Sequence, residues 1–161
     1  MLDPWSYAER CKSEAANQRA LFMWSNMAYR FGLMAANNKS SYTLPNHAAN
    51  DCLIHNDRVL QLKWLHAIHN QGHGDAIRGA NAKAEGVKAG VFDMFLPVPA
   101  RLSVYNSCYN GLYLELKVGK NKMSSIQTEF ADDMTSAGYA CECAWGWLNA
   151  RDKILKYLGL I

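Results

Sequence analysis

Gly111-Leu-Tyr-Leu-Glu-Leu-Lys117 is the stretch on which the reading of this chain turns. Successive side chains in a strand point to opposite faces, so Glu115 and Lys117 share one face while Leu114, Leu116 and Val118 take the other. A carboxylate and an ammonium thus stand together in a segment otherwise made of Leu and Tyr. Burying an ionised pair there is costly unless partners are supplied. Taken alone, the stretch is best explained as an ordinary cross-strand ion pair.

A second acid upstream changes that balance. Val91 to Val98 reads as an apolar strand interrupted by Asp93, and an antiparallel hairpin with Leu112 to Val118 sets Asp93 beside Glu115. Two carboxylates converging at a strand end, with no arginine close in sequence, call for a cation, and hard oxygen donors select Mg2+ or Mn2+. Lys117, two residues from a metal ligand, is placed to hydrogen-bond an attacking water or to steady charge on a phosphate oxygen. The metal would lower the pKa of its bound water and polarise a phosphodiester. Phosphodiester hydrolysis fits all three residues.

Outward from these strands, Asp3 before Pro4 is a helix entry, and helical spacing runs to Gly32 with a break near Ser13. Asn37 to Asp57 is rich in Asn, Ser and His and shows no sustained period, which reads as a long connection. Leu62 to Ile68 alternates as a first strand, Asn70 to Gly74 is turn-rich, and Ala76 to Glu85 is a short helix ending at Gly86. Pro99 to Asn110 reads as a loop. Ser124 with Gln127 forms a capping box before a helix that runs to Gly138. Tyr139 to Trp145 alternates as a fourth strand, with Tyr139, Cys141, Cys143 and Trp145 on one side. Leu148 to Leu158 is an amphipathic helix. The order α, β, β, β, α, β, α describes an α/β sandwich around a mixed sheet, in one domain over residues 1–161.

The composition is consistent with this. The chain has 161 residues, half of them apolar, enough for one self-sufficient core. No apolar run approaches the roughly 20 residues of a membrane span, and the start lacks a signal-peptide pattern, so a cytoplasmic location without membrane attachment is expected. Five cysteines without framework spacing read as reduced, buried thiols, not disulfides or a zinc site. The net charge of +3 is too mild to announce a nucleic-acid binder. Its distribution says more: Arg78, Lys83 and Lys88 face only Glu85, and Lys117, Lys120 and Lys122 form a second basic cluster. Solvated loop charges are the simple account of both.

Lys83-Ala-Glu-Gly-Val-Lys-Ala-Gly-Val-Phe-Asp-Met-Phe-Leu-Pro-Val-Pro99, then Gly-Leu-Tyr-Leu-Glu-Leu-Lys117, then Ser124-Ser-Ile-Gln127, resembles the VRR-NUC nucleases of the PD-(D/E)xK superfamily, in particular the stand-alone bacteriophage type. The likeness runs from about Ser13 to the C-terminus and is poorest over about 37–57. It implies a restriction-endonuclease-like core and a divalent-metal-dependent DNA endonuclease. It makes Asp93 the metal-binding aspartate, Glu115 and Lys117 the ExK pair, and Gln127 the helical glutamine. Glu14, followed by Gln18, takes the place of the upstream acid, and Leu116 would offer its main-chain carbonyl to the metal. Phe92 departs from the proline usual before the aspartate. The resemblance further implies a homodimer acting on branched DNA such as four-way (Holliday) junctions, in the host cytoplasm if phage-encoded. A flap or single-strand nuclease would share every catalytic residue, and a DNA-binding or assembly protein that no longer cuts would share the fold.

Other residues have plainer readings. His66, His69 and His73 with Asn70 invite an HNH-type metal site, but His66 and His69 face opposite sides of an extended segment and no second ligand set follows. Trp24, Trp64, Trp145 and Trp147 read as core. Arg78, Lys83 and Lys88 are the better candidates for phosphate contacts.

Overall fold

The computed structural model describes residues 3–43, 57–69, 76–102 and 107–161. Helix α1 (Pro4–Arg10) starts as its sequence dictates: Asp3 accepts from the Ser6 N–H at 2.9 Å, and Pro4 needs no donor in the first turn. The break at Ser13 is a new cap, its hydroxyl accepting from the Ala16 N–H, and helix α2 (Glu14–Ala36) follows. Gly32, at φ 85°, kinks α2 without ending it, so the helix runs past the expected stop.

The expected strand over Leu62 to Ile68 is mostly helical. Helix α3 (Asp57–Leu60) leads into a 3-10 turn over Gln61–Trp64, and strand β1 keeps only His66–Ala67. Val59, Leu62 and Leu65 are the buried positions, a three-residue period that belongs to a tight helix and not to a strand. Helix α4 (Ala76–Ala84) matches the predicted short helix, while the predicted turn at Asn70 to Gly74 and His73 lie outside the described residues.

Strand β2 (Met94–Leu96) is shorter than the predicted Val91 to Val98, because Asp93 occupies a bend before it. Within the predicted loop Pro99 to Asn110 the chain forms strands β3 (Ala100–Leu102) and β4 (Ser107–Tyr109), an antiparallel pair. Strand β5 (Leu112–Lys117), helix α5 (Ser125–Ser136), strand β6 (Ala140–Trp145) and helix α6 (Trp147–Tyr157) complete the chain close to their expected bounds.

The main sheet has the order β1-β2-β5-β6, antiparallel at the first two contacts and parallel between β5 and β6, hence mixed. Helix α5 makes the crossover that parallel neighbours require. One face of β5, through Leu112, Leu114 and Leu116, joins Leu21 and Trp24 of α2 and Ile154 of α6 in the core. Each such leucine contributes roughly 1.5–3 kcal/mol on burial. Asn17, buried in α2, ties this layer to the sheet end: its Oδ1 accepts from the Trp147 N–H at 3.1 Å and its Nδ2 donates to the Ser13 carbonyl at 3.0 Å.

The opposite face is covered by α5. Phe130 of α5 meets Tyr113 edge-on at 5.1 Å, and Tyr113 stacks on Phe95 at 4.4 Å. Gly90 sets how closely α5 approaches: a Cβ there would sit 2.2 Å from Ile126 Cγ2, and its φ of +83° also favours glycine. No helix among the described residues is long and apolar enough to cross a membrane. Cys11, Cys108, Cys141 and Cys143 are free thiols; Cys11 and Cys108 are exposed and the other two half-buried, so none of them is the fully buried residue expected.

Candidate active site

Strand alternation puts Glu115 and Lys117 on the α5 face of β5, as the sequence requires, and both are buried, at 1% and 8% exposure. The bend before β2 brings Asp93 against them through two reciprocal contacts. The Asp93 N–H donates to Glu115 Oε2 at 3.2 Å, and Asp93 Oδ2 accepts from the Leu116 N–H at 3.0 Å. A residue in a strand directs its N–H and C=O to the same side. The Leu116 carbonyl therefore also points toward Asp93.

The other oxygen of Glu115 receives two donors. Lys117 Nζ lies 2.6 Å from Oε1, and Gln127 Nε2 lies 2.5 Å from the same atom. Gln127 is held by its own cap: Oε1 accepts from the Ser124 N–H at 2.9 Å while the Gln127 N–H donates to the Ser124 hydroxyl. The cap occupies the oxygen end of the amide and turns its NH2 toward Glu115. The cap and the contact to Glu115 thus coexist in one set of bonds.

The electrostatics follow from this packing. Burial pushes the Glu115 carboxyl above its ordinary value, Asp93 adds to the rise, and the Lys117 hydrogen bond and charge offset only part of it. For Lys117 burial acts downward, but the hydrogen bond and charge of Glu115, with the charges of Glu14 and Asp93, prevail and raise it. The ammonium is thereby kept charged.

Glu14 stands apart from the two other acids. It opens α2 and accepts from Asn121 Nδ2 at 3.0 Å, near enough to Lys117 for its charge to be felt. Among the described residues no three His, Cys, Asp or Glu side chains gather into a metal cage. The donors that do converge are the carboxylates of Asp93 and Glu115 and the Leu116 carbonyl, all hard oxygens around a buried acid whose charge burial disfavours. That set fits a magnesium-like ion.

Phe92, where the family resemblance implies proline, is 1% exposed and packs on Phe130 at 5.4 Å. Burial of its ring fixes the residue before Asp93 in place of a locked φ. Lys83 and Lys88 are exposed, and Arg78 lies in α4 with its side chain outside the described part. Lys88 is two residues from the Gly90 that touches α5 next to Gln127. His66 and His69 are exposed, and no metal cluster forms there among the described residues.

Two aromatics depart from expectation. Trp24 and Trp147 are core, but Trp64 and Trp145 are 57% and 50% exposed. Trp64 sits on the outer side of the 3-10 turn under the Lys63 ammonium. Trp145 ends β6 on the face opposite buried Ala144, and the parallel register pairs it with Lys117. Alternation groups it with Cys141 and Cys143; the register with β5 is what puts that group on the Glu115 face.

No family model matches the chain, and no curated protein matches it. Among solved structures the chain is similar to one named VRR_NUC domain protein, at 25% identity and a TM-score of 0.50, over 62% of this chain and 71% of that one. The likeness supports the VRR-NUC resemblance of the sequence and identifies the mixed sheet with its flanking helices as a restriction-endonuclease-like architecture.

Proposed function

We propose that this protein is a divalent-metal-dependent DNA endonuclease, cutting phosphodiester bonds at the site formed by Asp93, Glu115, Lys117 and Gln127. The observation that carries the reading is the convergence of Lys117 Nζ and Gln127 Nε2 on one oxygen of buried Glu115, with Asp93 against the other. Similarity to a VRR_NUC domain protein supports a nuclease domain.

Asp93, Glu115 and the Leu116 carbonyl are the groups that would hold Mg2+ or Mn2+, with Glu14 contributing from α2. When bound, such an ion supplies an activated water and a polarised phosphate. Lys117 stays protonated through neutral pH and offers N–H donors where the attacking oxygen and the developing phosphate charge meet. Gln127 holds the Glu115 carboxylate in one orientation, so its lone pairs need no reorganisation during the reaction. Arg78, Lys83 and Lys88 are assigned to phosphates outside the cut, which positions the duplex without reading its sequence.

The substrate assigned is branched DNA, four-way junctions included, cut by a homodimer, since symmetric nicks across a junction need two sites related by a two-fold axis. A panel of linear, flap, splayed and four-way DNA with Mg2+ tests the reading. Cleavage is expected and should fall about 100–1,000-fold in Lys117→Ala. Cleavage that persists unchanged in that variant would overturn the site.

A further inference from the structure

Trp145 is a half-exposed aromatic beside the candidate site. The parallel register of β5 and β6 makes it the lateral partner of Lys117, about 5 Å away across the sheet and on the same face. Its indole is not loose: Nε1 donates to the Asn121 carbonyl at 3.0 Å, and the Asn121 side chain holds Glu14. A half-exposed indole fixed by its one polar atom offers a ring face already set for stacking.

The surroundings fit a particular occupant. Trp145 lines an open groove of about 640 Å³ with Trp5, Val118 and Leu148, so its walls are largely apolar. Lys12 and Lys120 stand on the same walls, and Glu9 is the one acid among the lining residues. Flat apolar surface with a net positive rim suits a nucleobase on its phosphate backbone, because stacking takes any base and lysines take the phosphates. A base pair inside a duplex hides its faces in the stack, whereas an unpaired base can turn a face to the indole.

We propose that Trp145 is a stacking platform for an unpaired base of the DNA strand passing through the candidate site, so that the preferred substrate carries a single-stranded nucleotide beside the cut. This rests on the nuclease reading. It ranks, among branched DNAs, those with an unpaired nucleotide at the branch above fully paired four-way junctions, and it assigns Lys12 and Lys120 to the phosphates of that strand.

The test uses the full chain in EDTA, so that nothing is cut, with a labelled single strand and a blunt duplex. Trp145→Ala should weaken single-strand binding about tenfold and leave duplex binding within about twofold, and Trp145→Phe should restore most of the loss. In the wild type, 2-aminopurine in the single strand should be quenched, and an abasic site at that nucleotide should lose the same factor. Equal binding of the abasic strand, or equal loss for single strand and duplex, overturns the platform. A dimer by sedimentation that Trp145→Ala converts to monomer would give the groove to a second copy of the chain and also overturns it. Cleavage with Mg2+ separates the two readings: cutting without Trp145-dependent stacking refutes the platform alone, and Trp145-dependent stacking in a chain that cuts nothing refutes the nuclease alone.

Discussion

The two halves of β5 share a strand, a sheet face and a covering helix, yet they are built from opposite materials. Around Tyr113 the α5 face is a cluster of rings: Phe95, Phe130 and Tyr139 lie within 4.4 to 5.4 Å of it, and Phe92 joins through Phe130. Two residues further on, around Glu115, the same face holds Asp93, Lys117 and Gln127 in a network of short hydrogen bonds. The aromatic half gains free energy by excluding water. The charged half has lost water from ionised groups and is repaid only by the donors around it. The comparison teaches that the first half is the support on which the second is held, and Phe92 and Asp93, adjacent in sequence, are the seam between them.

The largest effect is expected at that seam. Phe92→Ala should lower unfolding free energy by about 3–5 kcal/mol, because a fully buried ring leaves a cavity, and urea titration measures it. Cleavage should fall with it at temperatures where the chain remains folded, since Asp93 loses its anchor. A variant that is destabilised but cuts normally would break the link between the halves.

Next is Gln127→Glu, which separates cap from site. Glutamate also closes a capping box, so α5 should keep its start and the far-UV circular dichroism its amplitude, while the melting temperature falls because a donor to buried Glu115 is replaced by a like charge. A second carboxylate against Glu115 Oε1 should reduce cleavage roughly 10–100-fold. Unchanged cleavage would leave Gln127 as a cap alone.

A smaller effect comes from pH. Because burial raises Glu115 above its ordinary 4.5, the folded state binds a proton that the unfolded chain has already released. Stability from this group is present below that value, falls as pH rises to the folded value and is level beyond it. Lys117 acts at the alkaline end: its raised value makes its contribution complete below 10.5 and lost as pH climbs through the folded value. Unfolding curves from about pH 4 to about pH 8 should therefore show an acid-side slope that Glu115→Gln flattens. A slope unchanged by the substitution would place the titration elsewhere.

The smallest effect lies outside both halves. Lys83→Ala and Lys88→Ala should each weaken binding to every DNA a few-fold and reduce the salt slope by about one. A change in substrate preference instead would show that these residues do more than hold phosphates.

The charged half was legible in the sequence because a period of two is unambiguous once a strand is granted, and because Ser124 and Gln127 carry a cap whose spacing is local. What escaped was decided by distant packing. Leu62 to Ile68 offered two periods, and the helical one won because Val59, Leu62 and Leu65 must reach the same core. The pair β3 and β4 consists of three-residue strands, too short for alternation to show. Trp145 reads as core, and alternation groups it only with Cys141 and Cys143; its sheet face and its exposure were not legible, since nothing in the sequence says how β6 registers on β5 or where a covering helix ends.

Gly90 gives this arrangement a mechanical consequence. With only hydrogen in place of a side chain, the approach to Asp93 rests directly on Ile126, one residue from Gln127. The acid and the amide, on segments far apart in the chain, thus take their spacing from a single steric stop. One added methyl group would wedge them apart by about 1 Å, a displacement on the scale that can cost a catalyst 100-fold. The smallest residue in the chain is its gauge block.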